Sequence, residues 1–467
     1  MKRFIKPISF LIVASVFITA GQGCPGGGQR GVQLKPVTIE YWRVFDGEDD
    51  FDAIIDSYRA LHPNVKIRYK KLRFDEYEGE LIRAFAEGRG PDILAVHNTW
   101  MEGYKDLLMP MPSSLTITQQ VVRGTVRRQV VVEEITKPTM STATLKKTFV
   151  EQVPEDIILE YQPDPRIDPV ERIYGLPLSL DSLALFYNKD LLDAAGFPNP
   201  PSTWEEFQGM VPDLTSYDTQ GNILQSGAAL GTSQNVERAT DILSLLMMQT
   251  GTPMTDERGR VAFHTIPEDA PPGLFPGLNA TEFYTDFANP TKQVYAWNKT
   301  FPNSFEAFAN GQTAFFLGYS YHIPLLRTVA PRLNFAIAAA PQIEGGRKVN
   351  YANYWIESVA ASTDVEDWAW DFLLFAAGGD NVVSYLDESR KPTALRNLIN
   401  SQLDDEELGV FARQTLTAES WYHGKDVGAA EDALKDLIDD LLEGVVDPED
   451  AIELAANKVQ QTYKKKE

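Results

Sequence analysis

An early stretch of the chain alternates between two hydrophobic patterns, and this alternation constrains the fold more than any other feature. Residues 37–41 and 65–69 follow the two-residue period of a strand, and residues 93–96 form an apolar run typical of a buried strand. Residues 51–61 and 81–85 follow helical spacing. This strand–helix–strand–helix–strand order predicts a largely parallel α/β sheet that is covered by helices on both faces. Because the chain has 467 residues, we expect two domains.

A second informative stretch covers residues 174–207. It predicts an apolar strand over 183–187, a short helix that ends at Gly196, and a further helix that is capped by Ser202 or Thr203. This ordered string resembles the extracellular solute-binding proteins of the maltose-binding type, which are the capture components of ABC importers. In that family the string carries the first crossing between two lobes.

The resemblance extends from about Val37 to the C-terminus and implies a type II periplasmic-binding-protein fold. Each of two α/β lobes is expected to hold a mostly parallel sheet with flanking helices, and three crossings are expected to join the lobes. The first lobe is expected to comprise residues 37–182 and 357–375. The second lobe is expected to comprise residues 183–356 and 376–467.

Residues 113–165 exceed what the family usually has at this place, so we expect an insertion there. The valine-rich and basic part of this stretch, VVRGTVRRQVVVEEITK, predicts an edge hairpin or an extended arm. Two interpretations stay open for it. It contacts the permease or another surface partner, or it is a solvated insertion without a role.

The N-terminus has the layout of a secretory signal. Three basic residues precede an uncharged run over 7–20, and small residues then lead to Cys24, which is the only cysteine. The position of Cys24 resembles a bacterial lipoprotein cleavage site, although Gly21 stands where leucine is usual. We expect a signal peptide over 1–23, a lipidated Cys24 and a flexible tether over 24–36. The alternative is a plain secretory signal with an incidental thiol.

The formal net charge of −23 disfavours nucleic acid and anionic lipid surfaces as partners, because both carry charge of the same sign. The expected partners are a small-molecule ligand and, as the resemblance implies, the permease subunits of an ABC importer. We expect a monomer at the outer face of the cytoplasmic membrane or in the periplasm, which contacts the membrane only through its lipid anchor.

Polar and aromatic residues follow the predicted strands at the sheet edge where ligands bind in folds of this kind. The first strand leads to Phe45 beside Asp46, and the third leads to His97 beside Asn98. A sugar ring offers a face of C–H groups to an aromatic ring, while its hydroxyls need carboxylate or amide partners. The resemblance adds Asp181 and the aromatic residues of a Gly-Tyr-Ser-Tyr segment. The expected ligand-binding residues are Trp42, Asp46, Asn98, Trp100, Asp181, Asn235, Trp297, Tyr319, Tyr321, Trp355 and Trp421.

Signatures of common enzymes are missing from the sequence. The five histidines are scattered without a zinc-binding spacing, and neither a G-x-S-x-G elbow nor a P-loop occurs. Paired acids for glycoside cleavage stay open, because their spacing is spatial. We expect a binding protein without catalytic residues, metal or cofactor that delivers a small solute, foremost an oligosaccharide, to an importer by hinge closure. The alternatives are a peptide or polyol ligand, or a two-lobed receptor or sensor that is not coupled to transport.

Overall fold

The computed structural model describes residues 34–125, 128–268 and 270–464. The predicted signal peptide, Cys24 and most of the predicted tether lie outside these residues. None of the described helices is both long enough and apolar enough to cross a membrane.

The described residues form seventeen β-strands and seventeen α-helices. The strands, numbered β1 to β17 in chain order, are Val37–Val44, Val65–Leu72, Ile93–His97, Ser114–Arg123, Gln129–Pro138, Ile158–Tyr161, Val170–Ile173, Leu176–Pro177, Asp181–Ser182, Ala184–Asn188, Ser216–Tyr217, Ile223–Ala228, Thr313–Gly318, Phe335–Ala339, Asn350–Asn353, Trp355–Val359 and Ala418–Glu419. The helices, numbered α1 to α17, are Asp49–Leu61, Phe74–Ala86, Met101–Tyr104, Thr142–Thr148, Gln152–Ile157, Lys189–Ala195, Trp204–Leu214, Ala239–Gln249, Pro276–Asp286, Ser304–Ala309, His322–Val329, Glu366–Ala376, Gly379–Ser389, Ile399–Gln402, Leu408–Gln414, Val427–Glu443 and Pro448–Gln461.

Local sequence sets the ends of the helices that frame the first crossing. Gly196 ends α6 with φ at 81°, a left-handed conformation that glycine adopts without steric cost. Of the two predicted caps of α7, Thr203 is the one that forms, because its hydroxyl accepts a hydrogen bond from the Glu206 amide. The Glu206 carboxylate in turn accepts from the Ser202 amide at 2.7 Å.

Five strands form the sheet of the first lobe in the order β2-β1-β3-β16-β8. Strand β1 pairs in parallel with β2 and β3, as the sequence pattern predicts, whereas β16 pairs antiparallel with both β3 and β8. Every residue of β3 is buried, as expected for a strand that is covered on both faces. The antiparallel pairs arise because β16 enters the lobe from the second lobe, whereas β3 and β8 run toward it.

The sheet of the second lobe has the order β11-β12-β13-β10-β14, and only its β12–β13 pair is parallel. Strand β10 pairs antiparallel with both β13 and β14. The expectation of a mostly parallel sheet is therefore corrected for this lobe. The reason is that β10 enters the lobe directly from the first crossing, whereas β13 runs back toward the crossing.

Three crossings join the lobes, and two of them pair with each other. Strand β9 of the first crossing pairs antiparallel with β15 of the second, and β17 pairs in parallel with β15. The third crossing lies between Ile399, in the core of the first lobe, and Phe411, in a core cluster of the second lobe. A short three-stranded sheet thus forms the hinge between the two bodies.

The expected lobe boundaries place residues 376–467 in the second lobe, and the structure differs for part of this range. Helix α13 packs against α1 of the first lobe. Tyr385, Leu386 and Leu395 belong to the core of the first lobe as well. The sequence does not place α13 in the first lobe, because a helical pattern does not show which sheet the helix covers.

The predicted insertion contains a hairpin, in agreement with one of its two predicted forms. Strands β4 and β5 pair antiparallel over ten residues each. Leu115 and Ile117 at its base are buried in the core of the first lobe, and Lys137 forms an ion pair with Asp371 of α12. Helices α4 and α5, which follow the hairpin, contribute buried residues to the same core. Much of the insertion is thus part of the lobe.

Gly175, just before β8, offers a test of the packing beside the first crossing. A Cβ atom there would lie 2.6 Å from the Ser358 hydroxyl and 2.9 Å from the Glu357 carbonyl of β16. Gly175→Ala should therefore lower the free energy of unfolding by about 1–3 kcal/mol. Gly209→Ala is the matched control, since a Cβ in α7 meets nothing within 4 Å and alanine should stabilise the helix by about 0.5–1 kcal/mol. Equal urea midpoints for the two variants would contradict this account.

Candidate functional site

Aromatic side chains of both lobes meet at the carboxyl ends of β1 and β3, beside the hinge. Phe45 stacks on Tyr321 of the second lobe with ring centroids 6.4 Å apart and planes 7° apart. Phe45 also stacks on Phe74 at 5.5 Å and meets Trp355 edge-on at 5.9 Å. Trp355 in turn meets Trp100 edge-on at 5.4 Å. We call Phe45, Phe74, Trp100, Trp355 and Tyr321 the aromatic wall.

Three members of the aromatic wall expose large fractions of their side chains. The exposed fraction is 53% for Phe45, 51% for Phe74 and 40% for Tyr321. A cluster of exposed rings is unusual on a protein surface and marks a binding surface more often than chance. Phe45 also has φ at 62°, a left-handed conformation that is costly for a residue with a bulky side chain. The backbone is therefore held in a strained form that presents the Phe45 ring to the cleft.

A chain of polar side chains links the two lobes through the hinge. His97 Nε2 lies 3.1 Å from Asn353 Oδ1, and Asn353 Nδ2 lies 3.3 Å from Asp241 of α8. Burial lowers the pKa of His97 to about 4, so the ring is neutral. Its Nδ1 lies 3.4 Å from the Thr99 amide, which can only donate, so Nε2 carries the proton and donates to Asn353.

Asp241 is the acidic centre of the second lobe's side of the cleft. Its carboxylate accepts two hydrogen bonds from Arg238, at 2.8 and 2.7 Å, and one from the Tyr319 hydroxyl at 2.6 Å. Arg238 has φ at 53° and also reaches Glu431 at 3.1 Å. The described residues include three non-glycine residues with positive φ. Two of them, Phe45 and Arg238, lie on opposite walls of the cleft.

Asp156 is the acidic centre of the first lobe's side. It is completely buried and accepts hydrogen bonds from the Tyr354 hydroxyl at 2.6 Å and from Gln152 at 2.7 Å. From the second lobe side, His423 Nε2 lies 3.0 Å from the same carboxylate. Burial alone would lower the pKa of His423, but the hydrogen bond and the charge of Asp156 raise it above its ordinary value. Asn98 also approaches Asp156, at 3.4 Å.

Asp181 lies at the first crossing and is half-buried. Its carboxylate accepts from the Ser320 amide at 2.9 Å, from the Ser320 hydroxyl at 2.6 Å and from the Ser182 amide at 2.8 Å. Burial raises its pKa to about 6 in spite of these hydrogen bonds. Asp181 is thus a carboxylate that changes its charge close to neutral pH within the cleft.

The lobes are in contact in this structure. Thr99 of the first lobe and Arg238, Asp241 and Trp421 of the second line a cavity of only about 20 Å³. A wider cavity of about 720 Å³ lies between α3 of the first lobe and helices α16 and α17 of the second. A sugar ring is much larger than the small cavity, so entry of a ligand there requires the lobes to separate.

The structure brings together five of the residues that were predicted from the sequence. Trp100, Trp355 and Tyr321 belong to the aromatic wall, Asp181 lies at the first crossing, and Asn98 lies beside Asp156.

The other six predicted residues are committed to protein contacts. Trp297 is fully buried, and its indole donates to Asn235, whose amide also donates to two loop carbonyls. Trp42 packs in the first-lobe core under the Lys70 ammonium. Tyr319 and Trp421 are buried in the second-lobe core, bonded to Asp241 and Ser244. These side chains differ from the expectation because the alternation of a strand and the spacing of a loop do not show which face is already covered.

Asp46, the sixth of these residues, belongs to a buried charge network. It pairs with Arg43 at 2.9 Å and with Lys391, and accepts from the Tyr385 hydroxyl at 2.9 Å. Burial would raise its pKa, but the charges of Arg43 and Lys391 lower it below the ordinary value. The carboxylate therefore serves the packing of α13 and the Lys391 loop onto β1.

Sequence reasoning did not include several residues that the cleft contains. Phe45 follows β1, His97 is the last residue of β3, and Phe74 follows β2. Their positions at the ends of strands are the signal that could have selected them. Asp156 and Asp241 carried no such signal, because one lies within the predicted insertion and the other lies in the first turn of a helix.

Comparisons with known proteins agree with this architecture. The family model described as "Bacterial extracellular solute-binding protein" matches residues 46–381. A binding protein of Brucella abortus is 25% identical over 210 residues, which cover 44% of this chain and 46% of the relative. The chain thus spans about half the length of the curated relatives that it matches.

Solved structures share the fold over nearly the whole chain. The cyclic α-maltosyl-1,6-maltose binding protein of Arthrobacter globiformis has a TM-score of 0.69 and 20% identity, covering 92% of this chain and 99% of its own. The sugar-binding protein MalE of Xanthomonas citri has a TM-score of 0.68 and 16% identity, covering 91% and 97%. A solute-binding protein of Thermotoga lettingae bound with α-D-tagatose has a TM-score of 0.65 and 19% identity, covering 91% and 100%.

The buried network at Asp46 predicts a stability effect that a ligand contact would not have. Asp46→Asn removes the charge that compensates Arg43 and Lys391, so it should lower the free energy of unfolding by about 3 kcal/mol. Asp56→Asn, which breaks only the exposed pair with Arg59, should leave the urea midpoint unchanged. Unchanged stability of the Asp46 variant would return this residue to the set of ligand contacts.

Proposed function

The chain belongs to the bacterial extracellular solute-binding proteins, and from this membership we propose that it captures an oligosaccharide and delivers it to an ABC importer. The stacked rings of the aromatic wall carry this proposal, because they come from both lobes and face each other across the hinge. The sugar-binding proteins that share its fold lend further support.

A sugar ring suits the aromatic wall for a chemical reason. Its C–H face lies flat on an aromatic ring, and each aromatic contact is worth about 0.5–1.5 kcal/mol beyond the area it buries. Phe45 and Tyr321 are nearly parallel in this structure. When the lobes separate, the two rings part without changing their orientation within each lobe, and a pyranose can enter between them.

The polar groups beside the aromatic wall supply partners for hydroxyl groups. Asp181 accepts hydrogen bonds, Asn353 both donates and accepts, and Arg238 donates. Each of these groups has protein partners when the lobes are in contact. Hydroxyls of the ligand take over some of these hydrogen bonds when the lobes close on it.

Closure follows from the ligand's contacts with both lobes. Only the closed form satisfies all of them, so binding shifts the balance between open and closed forms by differential affinity. A micromolar dissociation constant corresponds to about 8 kcal/mol, which a few stacked rings and hydrogen bonds provide. The permease subunits then recognise the closed pair of lobes.

The remaining features of the proposal concern location and assembly. The protein is held at the outer face of the cytoplasmic membrane by a lipid on Cys24 and acts as a monomer. The signal-like N-terminus, in which small residues lead to Cys24, supports the lipid anchor.

A thermal-shift screen tests the proposal directly. The full chain with Cys24→Ser is mixed with maltooligosaccharides, short peptides and polyols in turn. A ligand at a hundredfold excess over its dissociation constant should stabilise the protein by about 2.7 kcal/mol. Maltooligosaccharides are expected to raise the melting temperature most, and a rise with peptides or polyols alone would contradict the proposed ligand class.

Tyr321→Ala should weaken binding of the best sugar at least about tenfold, because it removes one face of the stack. The melting temperature without ligand should hardly change, since the side chain is 40% exposed. Tyr217→Ala is the matched control, because Tyr217 is a tyrosine of the second lobe with a similar exposed fraction of 44%. Titration calorimetry measures both variants, and equal affinities would remove Tyr321 from the site.

The pKa of Asp181 predicts how affinity depends on pH. Its pKa is about 6 in the folded protein, so the carboxylate that accepts a sugar hydroxyl is lost as pH falls through 6. The dissociation constant should be about tenfold higher at pH 5 than at pH 7.5. The effect of the raised Asp181 pKa on protein stability has the opposite sign. It stabilises the folded protein below pH 4, and this stabilisation is lost as the pH rises through 6. Asp181→Asn should flatten the affinity profile, and an unchanged profile would contradict the assignment.

A further inference from the structure

The β4–β5 hairpin extends well beyond the body of the first lobe. Ile117 is the last residue of β4 that is buried in the core, and Arg123 ends the strand six positions later. At a rise of roughly 3.3 Å per residue, Arg123 lies about 20 Å along the strand from Ile117. We call residues 119–125 and 128–132 the hairpin end.

The hairpin end carries valines that pair with each other across the two strands. Val122 and Val130 are direct cross-strand partners and are 61% and 63% exposed. Val121 pairs with Val131 on the opposite face. None of these four valines joins the three hydrophobic clusters found in the described part of the chain. A two-stranded hairpin with valines on both faces is not explained by packing within this chain.

The charge of the hairpin end is opposite to that of the whole chain. The chain has 66 acidic and 43 basic residues, yet residues 119–132 contain arginines and neither aspartate nor glutamate. Arg123 donates hydrogen bonds of 2.8 and 2.6 Å to Glu133 of the paired strand. Arg128 is exposed and lies directly before β5. Exposed valines beside arginines fit the boundary between acyl chains and phosphate head groups.

The base of the hairpin lies at the end of the lobe where the described chain begins. Lys35 accepts a hydrogen bond from Asn64, which stands two residues after His62. His62 Nε2 lies 3.6 Å from Asp371, and the same carboxylate pairs with Lys137 at the base of β5. This end of β1 is opposite to the aromatic wall. The N-terminal segment and the hairpin therefore leave the lobe from neighbouring points, away from the cleft.

From these observations we propose that the hairpin end is a membrane-contact element that binds a bilayer containing anionic lipid. Val122 and Val130 insert at the acyl boundary, and Arg123 and Arg128 contact lipid phosphates. The contact holds the end of the first lobe that is opposite to the aromatic wall against the membrane. The cleft therefore stays open to solute. The general repulsion between the acidic body and the bilayer is screened beyond about 10 Å, which is shorter than the hairpin.

Vesicle co-sedimentation tests the proposal independently of any solute. The chain from residue 25 onward, which lacks both the expected signal peptide and Cys24, is mixed with vesicles of phosphatidylcholine with and without phosphatidylglycerol. It should bind only vesicles that contain phosphatidylglycerol, and binding should weaken as salt rises. Val122→Asp with Val130→Asp should reduce the partition coefficient at least about tenfold. Arg128→Gln, which leaves the paired strands intact, should reduce it roughly fivefold.

The matched control changes two exposed valines elsewhere on the chain. Val329 and Val445 are 60% and 81% exposed, and Val329→Asp with Val445→Asp should leave vesicle binding unchanged. Circular dichroism and melting temperature establish that all variants are folded. Equal loss of binding in the control, or no binding of the parent chain to phosphatidylglycerol vesicles, overturns the proposal. Loss of binding to a detergent-solubilised permease, without binding to vesicles, would assign the hairpin to a protein partner instead.

Discussion

The hinge between the lobes is the constraint on which the rest of the structure depends. Each crossing carries polar backbone groups through a buried place, and these groups must be paired. Gln414 pairs several of these groups. Its side-chain amide donates to the Ser182 hydroxyl and to the Leu183 carbonyl at 2.9 Å each, and its side-chain oxygen accepts from the Ala340 amide at 2.8 Å. One side chain of α15 thereby fixes the start of β10 and the end of β14.

The polar groups around the hinge divide the cleft into fixed and free parts. Asp156 and Asp241 are buried and fully engaged with neighbours, so they hold the loops of each lobe in place. The exposed rings of Phe45, Phe74 and Tyr321 carry no charge, and Phe45 and Phe74 have no polar group to satisfy, so these rings are free to exchange contacts with each other for contacts with a solute. Opening of the cleft would separate His423 from Asp156, but Asp156 would keep its hydrogen bonds from Tyr354 and Gln152, and Asp241 would keep those from Arg238 and Tyr319.

Much of the fold could be predicted from the sequence, because hydrophobic periods and helix caps are local. All five elements between 37 and 97 form, as do the Gly196 end of α6 and the Thr203 cap of α7. The direction of β10 and the lobe to which α13 belongs could not be predicted, since both depend on packing between distant segments. The same limit applied to the site. Trp100 and Trp355 lie in the aromatic wall, whereas Trp297 has the same loop-like context and is buried. The place of Asp156 in the site could not be predicted, because it depends on the fold of a segment to which the family resemblance does not extend.

The central claim is that the lobes separate and close around a solute at the aromatic wall. Pulsed electron paramagnetic resonance can measure this with spin labels at 76 and 325, on α2 and α11, in a chain with Cys24→Ser. Both helices begin at the aromatic wall, one in each lobe. Without solute the distance distribution should include separations longer than those with the sugar that raises the melting temperature most, and that sugar should narrow it to the shorter distance. Identical distributions with and without bound sugar would contradict hinge closure.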